Sequence, residues 1–194
     1  MANEQGYLTN AGALVADESP IRWSRLFCTR WNGLNKSGGT IDAFDDAEYS
    51  GSVLSLIDNG EAFIKRNAKL MWRKTANSRE EMPEYVERSY HEALVNALAH
   101  RDYQNQGSVY VKHYPDKVVI ENPGGFPEGI TQNNIITHPS VSRNKLISGR
   151  HCKRLKYVQR TGQGVDIIYR DMVSSGKPYP EYRSYSDAVS LTIV

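Results

Sequence analysis

Glu92 and Asn96 are the first residues whose types and spacing suit chemistry. They stand at the two ends of the helical pattern Glu-Ala-Leu-Val-Asn, and residues four apart on a helix lie on one face, one turn apart. A carboxylate can take a proton from water, and a carboxamide oxygen is a neutral ligand for a hard cation such as Mg²⁺. A solvent-facing polar stripe opposite Leu94, Ala97 and Leu98 has the same spacing. Such stripes occur on most surface helices, so the spacing alone favours that second interpretation.

His100 extends the same row and is followed by Arg101, Asp102 and Tyr103. These side chains could hold a phosphate, but a helix C-terminus also favours cations, and Asp and Tyr are common where a chain leaves a helix. We therefore interpret this segment as a helix end. The histidines and the two cysteines lack the spacing of metal ligands, so we expect no zinc site.

Two glycine clusters could bring the backbone close to phosphates. The first, Gly124 and Gly125, follows a strand pattern, and the second, Gly162 and Gly164, precedes a helical pattern. Free amide N–H groups at such a helix start can bind an anion. Neither cluster has the spacing of a Walker A motif or of a dinucleotide-binding fingerprint. Taken singly, each cluster is more typical of a turn or a helix boundary.

The order of these features along the chain is more informative than any one of them. A Glu-x-x-x-Asn helix, a hairpin, a glycine pair, a basic segment and a Gly-x-Gly helix start resemble the layout of the GHKL (Bergerat-fold) ATPases, the superfamily of gyrase, histidine kinases and MutL. A closer resemblance is to bacterial proteins labelled RecG-related ATP-dependent DNA helicases, which are also called Schlafen AlbA-like transcriptional regulators. The segments that carry it are residues 8–14, 92–103, 121–127, 142–147 and 160–164.

The resemblance implies ATP and Mg²⁺ as cofactors. It assigns Glu92 to the carboxylate that activates the water attacking the γ-phosphate, and Asn96 to the Mg²⁺ ligand. The first glycine cluster would lie beneath adenine, the second would lie at the phosphates, and a mobile lid would lie between them. The implied nucleotide-binding residues are Asn96, Asn122, Gly124, Gly125, Arg143, Lys145, Thr161, Gly162 and Gly164.

Two departures from the family pattern matter. Active GHKL ATPases normally begin the first glycine cluster with an Asp that binds the adenine amino group, whereas Asn122 and Pro123 occupy this region here. No helicase motor motif occurs, so we expect no helicase activity from this chain. The AlbA-like domain and the winged helix that usually flank this region are not evident in the sequence. We therefore expect the chain to be the middle piece of a longer regulator.

The pattern of apolar residues predicts an α+β fold. We expect a two-layer α/β sandwich of Bergerat type, with a mixed, mostly antiparallel sheet and helices on one face. We divide the chain into an N-terminal αβ segment, 1–75, that packs onto a nucleotide-binding core, 76–194, with both in one compact unit.

Individual elements are predicted from periodicity and breakers. We expect helices over 46–67, from Pro83 to about His100, around 143–155, and from Gly164 to Val173. We expect a strand over 21–28, a hairpin of 108–114 with 117–121, and a closing strand over 189–194. Residues 75–82 are predicted to be a linker, and residues 122–129 to be irregular.

The composition is that of an ordinary globular chain. Its 194 residues are 39% hydrophobic and 24% charged, with a mean hydropathy of −0.58. No apolar run approaches the roughly 18 to 20 residues that a bilayer span needs, so we expect no membrane segment. Two isolated cysteines favour a reducing compartment, so we expect the cytoplasm.

The net charge of +2 is too small to predict a nucleic-acid partner, but seven basic residues and no acid lie between Arg143 and Arg160. We interpret this basic run first as a lid or solvated face and second as a DNA contact. We expect DNA binding through the full-length protein and only weakly in this chain.

The sequence and the resemblance leave two alternative functions. The first is an ATP-binding module, slowly hydrolysing through Glu92, within a DNA-binding transcriptional regulator. The second is a non-hydrolysing scaffold that dimerises or senses a ligand, and a homodimer is left open.

Overall fold

The computed structural model describes residues 2–36, 42–148 and 163–194. The strands are β1 (Arg25–Trp31), β2 (Ala43–Ser50), β3 (Leu70–Lys74), β4 (Arg79–Pro83), β5 (Val109–His113), β6 (Val118–Pro123), β7 (Glu181–Ser184) and β8 (Ala188–Ile193). The helices are α1 (Asn10–Leu14), α2 (Val53–Asn67), α3 (Glu87–His100), α4 (Lys145–Ser148) and α5 (Gly164–Ser174).

Six of these strands form one mixed sheet in the order β2-β1-β5-β6-β8-β7. Its pairs are antiparallel except β1 with β5, which run parallel from Leu26 opposite Val109 to Arg30 opposite His113. Strands β3 and β4 form a separate two-stranded hairpin. The predicted α+β class with a mostly antiparallel sheet is therefore confirmed, and strands from residues 1–75 belong to the same sheet as β5 to β8.

Helices α2 and α3 pack on one face of this sheet. In β5, Val109 and Val111 are buried while Tyr110 between them is exposed, so the strand has one covered face and one open face. Helix α2 begins at its N-cap Ser52, whose hydroxyl accepts from Ser55 N, and buries one stripe of apolar residues toward β1 and α3. Helix α3 is buried over most of its circumference because α2, α5 and the sheet all contact it.

Three predicted element boundaries are wrong in the N-terminal half. The helix predicted over 46–67 begins only at Val53, because residues 43–50 form β2, an edge strand with alternating exposure. The strand predicted over 21–28 lies later, at β1. Residues 75–82, predicted to be a linker, contribute to the exposed β3–β4 hairpin.

Two boundaries within residues 76–194 also differ from the prediction. Pro83 does not start a helix; it ends β4 opposite Leu70, and α3 begins at Glu87. Asn122 and Pro123, predicted to be irregular, are the last residues of β6 and pair with β8. The predicted hairpin, the helix from Gly164 and the closing strand are confirmed, whereas β7 was not predicted.

Helix α4 covers only Lys145–Ser148 of the helix predicted around 143–155, and the rest of that segment lies outside the described residues. None of the helices in the described part of the chain combines the length and apolar character needed to cross a lipid bilayer.

Candidate functional site

A cavity of about 520 Å³ lies between α3, the sheet and the start of α5. Apolar side chains of β6 and β8, including Ile120, Val189 and Leu191, form part of its wall. Polar groups reach it from α3, from the end of β6 and from the first turn of α5. An apolar cavity of this size with a few converging polar groups is the usual form of a small-molecule site.

Glu92 lies in the wall of this cavity and is only 3% exposed. Burial raises the pKa of its carboxyl group, the charges of His91 and Arg88 oppose that shift, and Asp171 adds to it. The solvent-facing stripe suggested by spacing alone is therefore wrong for Glu92. A buried carboxylate whose pKa is raised toward neutrality is better suited to accept a proton than an exposed one.

Asn96 lies one turn further along α3, on the same cavity wall. Its Nδ2 is buried and has no hydrogen-bond partner among the described residues. The start of α5 lies directly against it: a methyl carbon added to Gly164 would be 2.9 Å from both Oδ1 and Nδ2 of Asn96, and 3.2 Å from Oε2 of Glu92. A side chain at position 164 would thus displace the ends of the Asn96 and Glu92 side chains, and the first turn of α5 faces both.

The first turn of α5 adds backbone donors to the cavity. Gln163, Gly164, Val165 and Asp166 all line it, and Gln163 makes no side-chain capping bond. The N–H groups of a first helical turn lack partners within the helix and favour an anion. Thr161 and Gly162, which the resemblance places here as well, lie outside the described residues.

The first glycine cluster forms another part of the wall. Gly124 has φ +98°, and a methyl carbon on it would lie 2.8 Å from Asp102 Cβ and 2.9 Å from Arg143 Nη1. Both its conformation and its surroundings therefore require glycine. Gly125 is constrained on the other side, where an added methyl carbon would lie 3.0 Å from Tyr185 O.

Arg143 and Asn122 both lie beside this cluster. Arg143 Nη2 donates to Gly125 O at 2.6 Å, and its Nη1 lies 3.4 Å from Asp102 Oδ2. Asn122 is 8% exposed, lines the cavity and donates through Nδ2 to Pro123 O at 3.3 Å. Lys145, on α4, is exposed and does not line the cavity.

Sequence analysis missed Asn144, the residue that follows Arg143. Its Nδ2 donates to Ala99 O at 2.9 Å and to Arg101 O at 2.7 Å, at the C-terminal end of α3. An Asn just before a helix is usually interpreted as the N-cap of that helix, here α4. The side chain instead binds a different helix, which no local pattern could have indicated.

The described residues contain no group of three or more His, Cys, Asp or Glu side chains that could hold a metal ion. This does not conflict with the predicted Mg²⁺, which keeps several waters and is commonly bound by one or two protein oxygens together with phosphates. The Oδ1 of Asn96 and the donors of α5 fit such a shared site.

Part of the chain is similar to a known protein family. Residues 106–193 match the family HATPase_c_4, described as "Putative ATP-dependent DNA helicase recG C-terminal". The predicted resemblance is therefore confirmed over these residues, which contain both glycine clusters. The match begins after α3, so Glu92 and Asn96 lie outside it.

A solved structure supports the fold. The crystal structure of the DIP2311 protein from Corynebacterium diphtheriae aligns with a TM-score of 0.79 and 22% sequence identity, over 100% of this chain and 38% of that chain. This chain therefore spans well under half the length of that protein. No curated protein matched the sequence.

Proposed function

We propose that this chain binds ATP together with Mg²⁺ in the cavity between α3, the sheet and α5, and hydrolyses it slowly through Glu92. The observation that carries the proposal is the approach of Gly164 to Asn96 and Glu92. It brings a helix N-terminus, which favours phosphate, against a buried carboxylate and a carboxamide. The family match over residues 106–193 supports the same ligand.

Glu92 is the proposed general base. In a buried setting that raises its pKa, its carboxylate would hold a water molecule in place and accept its proton. The reaction asks little covalent chemistry of the protein, so the position of this carboxylate relative to the α5 N-terminus decides the rate.

Asn96 supplies the cation ligand through Oδ1. Mg²⁺, when bound, would neutralise charge on the phosphate oxygens. The unpartnered Nδ2 of Asn96 is left to donate to a ligand oxygen in the cavity.

The first glycine cluster and the apolar wall form the proposed binding region for the adenine ring. Because Asn122 replaces the Asp of active relatives and uses its Nδ2 on Pro123 O, the adenine amino group has at best one carboxamide oxygen to bind. One such hydrogen bond contributes about 0.5 to 1.5 kcal/mol, or up to tenfold in affinity. We therefore expect weak binding and poor selectivity for adenine over guanine.

Calorimetric titration and turnover assays with ATP and Mg²⁺ test this function. Glu92→Ala should abolish turnover while nearly preserving nucleotide affinity, because a general base acts mainly in the transition state. Asn96→Ala should weaken the Mg²⁺-dependent part of binding. Glu87→Gln is the matched control: it is an exposed carboxylate at the start of the same helix, and its loss should change neither quantity.

The outcome that rejects the function is also specific. If millimolar ATP with Mg²⁺ produces neither heat nor a rise in melting temperature, the nucleotide site does not exist. A bound ligand at 100 times its dissociation constant should stabilise the chain by about 2.7 kcal/mol.

We further propose that the chain acts inside a longer cytoplasmic, DNA-binding transcriptional regulator. The greater length of the DIP2311 protein and the basic run between Arg143 and Arg160 support this. Fluorescence anisotropy should then show weak duplex DNA binding without sequence preference by this chain, since its net charge is only +2. Tight, sequence-selective binding at physiological salt would contradict that expectation.

The alternative is a non-hydrolysing scaffold that dimerises or senses a ligand. Asn122 at the base-binding position favours it, because the adenine contact of active relatives is then weakened. Light scattering that shows a dimer, combined with no ATP binding, would select this alternative.

A further inference from the structure

Two consecutive residues connect two walls of the cavity. Arg143 donates to Gly125 O in the first glycine cluster, and Asn144 donates to Ala99 O and Arg101 O at the end of α3. Helix α3 carries Glu92 and Asn96 on one wall, and the glycine cluster forms another. The Arg143–Asn144 pair is thus a direct bridge between them.

The bonds of Asn144 are of a kind that fixes a helix end. The last carbonyl groups of a helix lack partners within it and must be satisfied from outside. After His100, Arg101 leaves the helix with ψ 140°, so the Ala99 and Arg101 carbonyls become available, and a single Asn144 amide group binds both.

The glycine cluster is fixed on the same side. Asp102 N donates to Pro123 O at 2.9 Å, and Asp102 also lies beside Arg143. The chain leaving α3, the end of β6 and the residues before α4 therefore form one connected network of hydrogen bonds.

We propose that Asn144 is a positioning residue of the nucleotide site, which with Arg143 sets the spacing between the α3 wall and the first glycine cluster. This inference rests on the proposed function. A ligand that touches only one wall does not depend on the spacing, whereas a nucleoside triphosphate must contact both walls at once. The loss of Asn144 should therefore reduce ATP binding much more than adenosine binding.

Asn144→Asp is the first test, because it keeps the shape and replaces the donating amide by an oxygen that two carbonyl groups repel. Affinity is measured by calorimetry for ATP with Mg²⁺, and by ligand-observed NMR for adenosine, well below the melting temperature of each protein. We expect ATP affinity to fall about tenfold or more and adenosine affinity to change less than about twofold. If Asn144→Asp does not fold, Asn144→Ala is judged by the same two ratios.

Asn67→Ala is the matched control. Asn67, the last residue of α2, also donates through Nδ2 to two acceptors, Phe63 O in that helix and Asp45 Oδ2 on β2, and it does not line the cavity. It should lower the melting temperature and leave both affinities unchanged. A second check is the pair Arg143→Ala and Asn144→Ala, whose combined loss of ATP affinity should be smaller than the sum of the single losses if the two residues act as one bridge.

The outcomes separate the two proposals. If the wild-type chain binds ATP and Asn144→Asp binds it equally well, or if ATP and adenosine are weakened in equal proportion, the positioning role is overturned and the proposed function stands. If the wild-type chain does not bind ATP, both proposals are overturned.

Discussion

The two glycine clusters differ in what surrounds them. Gly124 adopts a left-handed conformation and is enclosed by Asp102 and Arg143, which belong to the framework of the fold. Gly164 begins a regular helix and is enclosed by Asn96 and Glu92, the proposed cation ligand and the proposed general base. The first cluster therefore requires glycine for the backbone, and the second requires glycine for the site.

This difference shows that two similar glycine motifs can have different roles, one in stability and one in binding. A substitution in the first cluster should act on stability, since the obstructing atoms belong to a network that also anchors β6 and α3. A substitution in the second should act on binding, since the obstructing atoms lie at the ends of the two side chains proposed to act on the nucleotide. Four predictions test this contrast.

Gly124→Ala should have the largest effect. Alanine at φ +98° is strained, and its methyl carbon would lie 2.8 Å from Asp102 Cβ, which cannot move without moving the backbone. We expect a loss of about 3 kcal/mol in the free energy of unfolding. Urea denaturation measures it, and a loss under about 1 kcal/mol would contradict the framework role.

Gly164→Ala should show the opposite profile. Alanine is the better helix former, so the free energy of unfolding should change by less than about 1 kcal/mol. The methyl group would displace the Asn96 carboxamide, and ATP affinity should fall about tenfold, equivalent to about 1.4 kcal/mol. Urea denaturation and calorimetry are the paired measurements. Unchanged affinity in a folded variant would remove the distinction between the clusters.

Glu92→Gln should change how stability depends on pH. Because the folded chain raises the pKa of Glu92 above its ordinary value of 4.5, the folded state binds more protons than the unfolded state just above that pH. The contribution of Glu92 to stability therefore falls as pH rises through the folded pKa. Gln does not titrate, so this variant should melt above wild type near pH 7, with a gap that closes at about pH 4.

Glu87→Gln provides the comparison for that experiment. This variant removes an exposed carboxylate from the first turn of the same helix, and so controls for the loss of a negative charge on α3. A constant difference between Glu92→Gln and wild type across the pH range would show that the carboxyl group of Glu92 is not perturbed by burial.

Ser184→Ala should have the smallest effect. Ser184 Oγ accepts from Phe126 N at 3.1 Å and is one of several groups beside the first glycine cluster. Removing it should cost about 0.5 to 1 kcal/mol of unfolding free energy and leave nucleotide affinity unchanged. Urea denaturation checks the first value, and a cost near that of Gly124→Ala would mean that single bonds, rather than backbone conformation, hold the cluster.

Local periodicity predicted the parts of the site that depend on one helix. The four-residue spacing correctly placed Glu92 and Asn96 on one face. It could not predict that this face is buried, because the burial comes from α5, which starts more than sixty positions later in the chain. Long-range packing, which the spacing does not reveal, contradicts the solvent-facing interpretation for Glu92.

The errors in the predicted elements have two physical causes. The β3–β4 hairpin is exposed on both faces, so no alternation of apolar and polar residues distinguishes its second strand from a linker. Asn122 and Pro123 were predicted to be irregular because they begin the Pro- and Gly-rich run 122–129, yet Pro123 fits as the last residue of β6.

The parallel pairing of β1 with β5 has a consequence for the order of folding. Arg30 and His113 face each other across this pair although 83 positions separate them in the chain. The β1–β2 and β5–β6 pairs are closed by much shorter connections, and loop-closure entropy favours contacts between near neighbours in sequence. The pairing of β1 with β5 should therefore form late in folding. The described residues that line the cavity come from α3, β6, β7, β8, α4, the start of α5 and the loops beside them, and none belongs to the β1–β2 pair. The late step should therefore complete the sheet without adding a wall to the cavity.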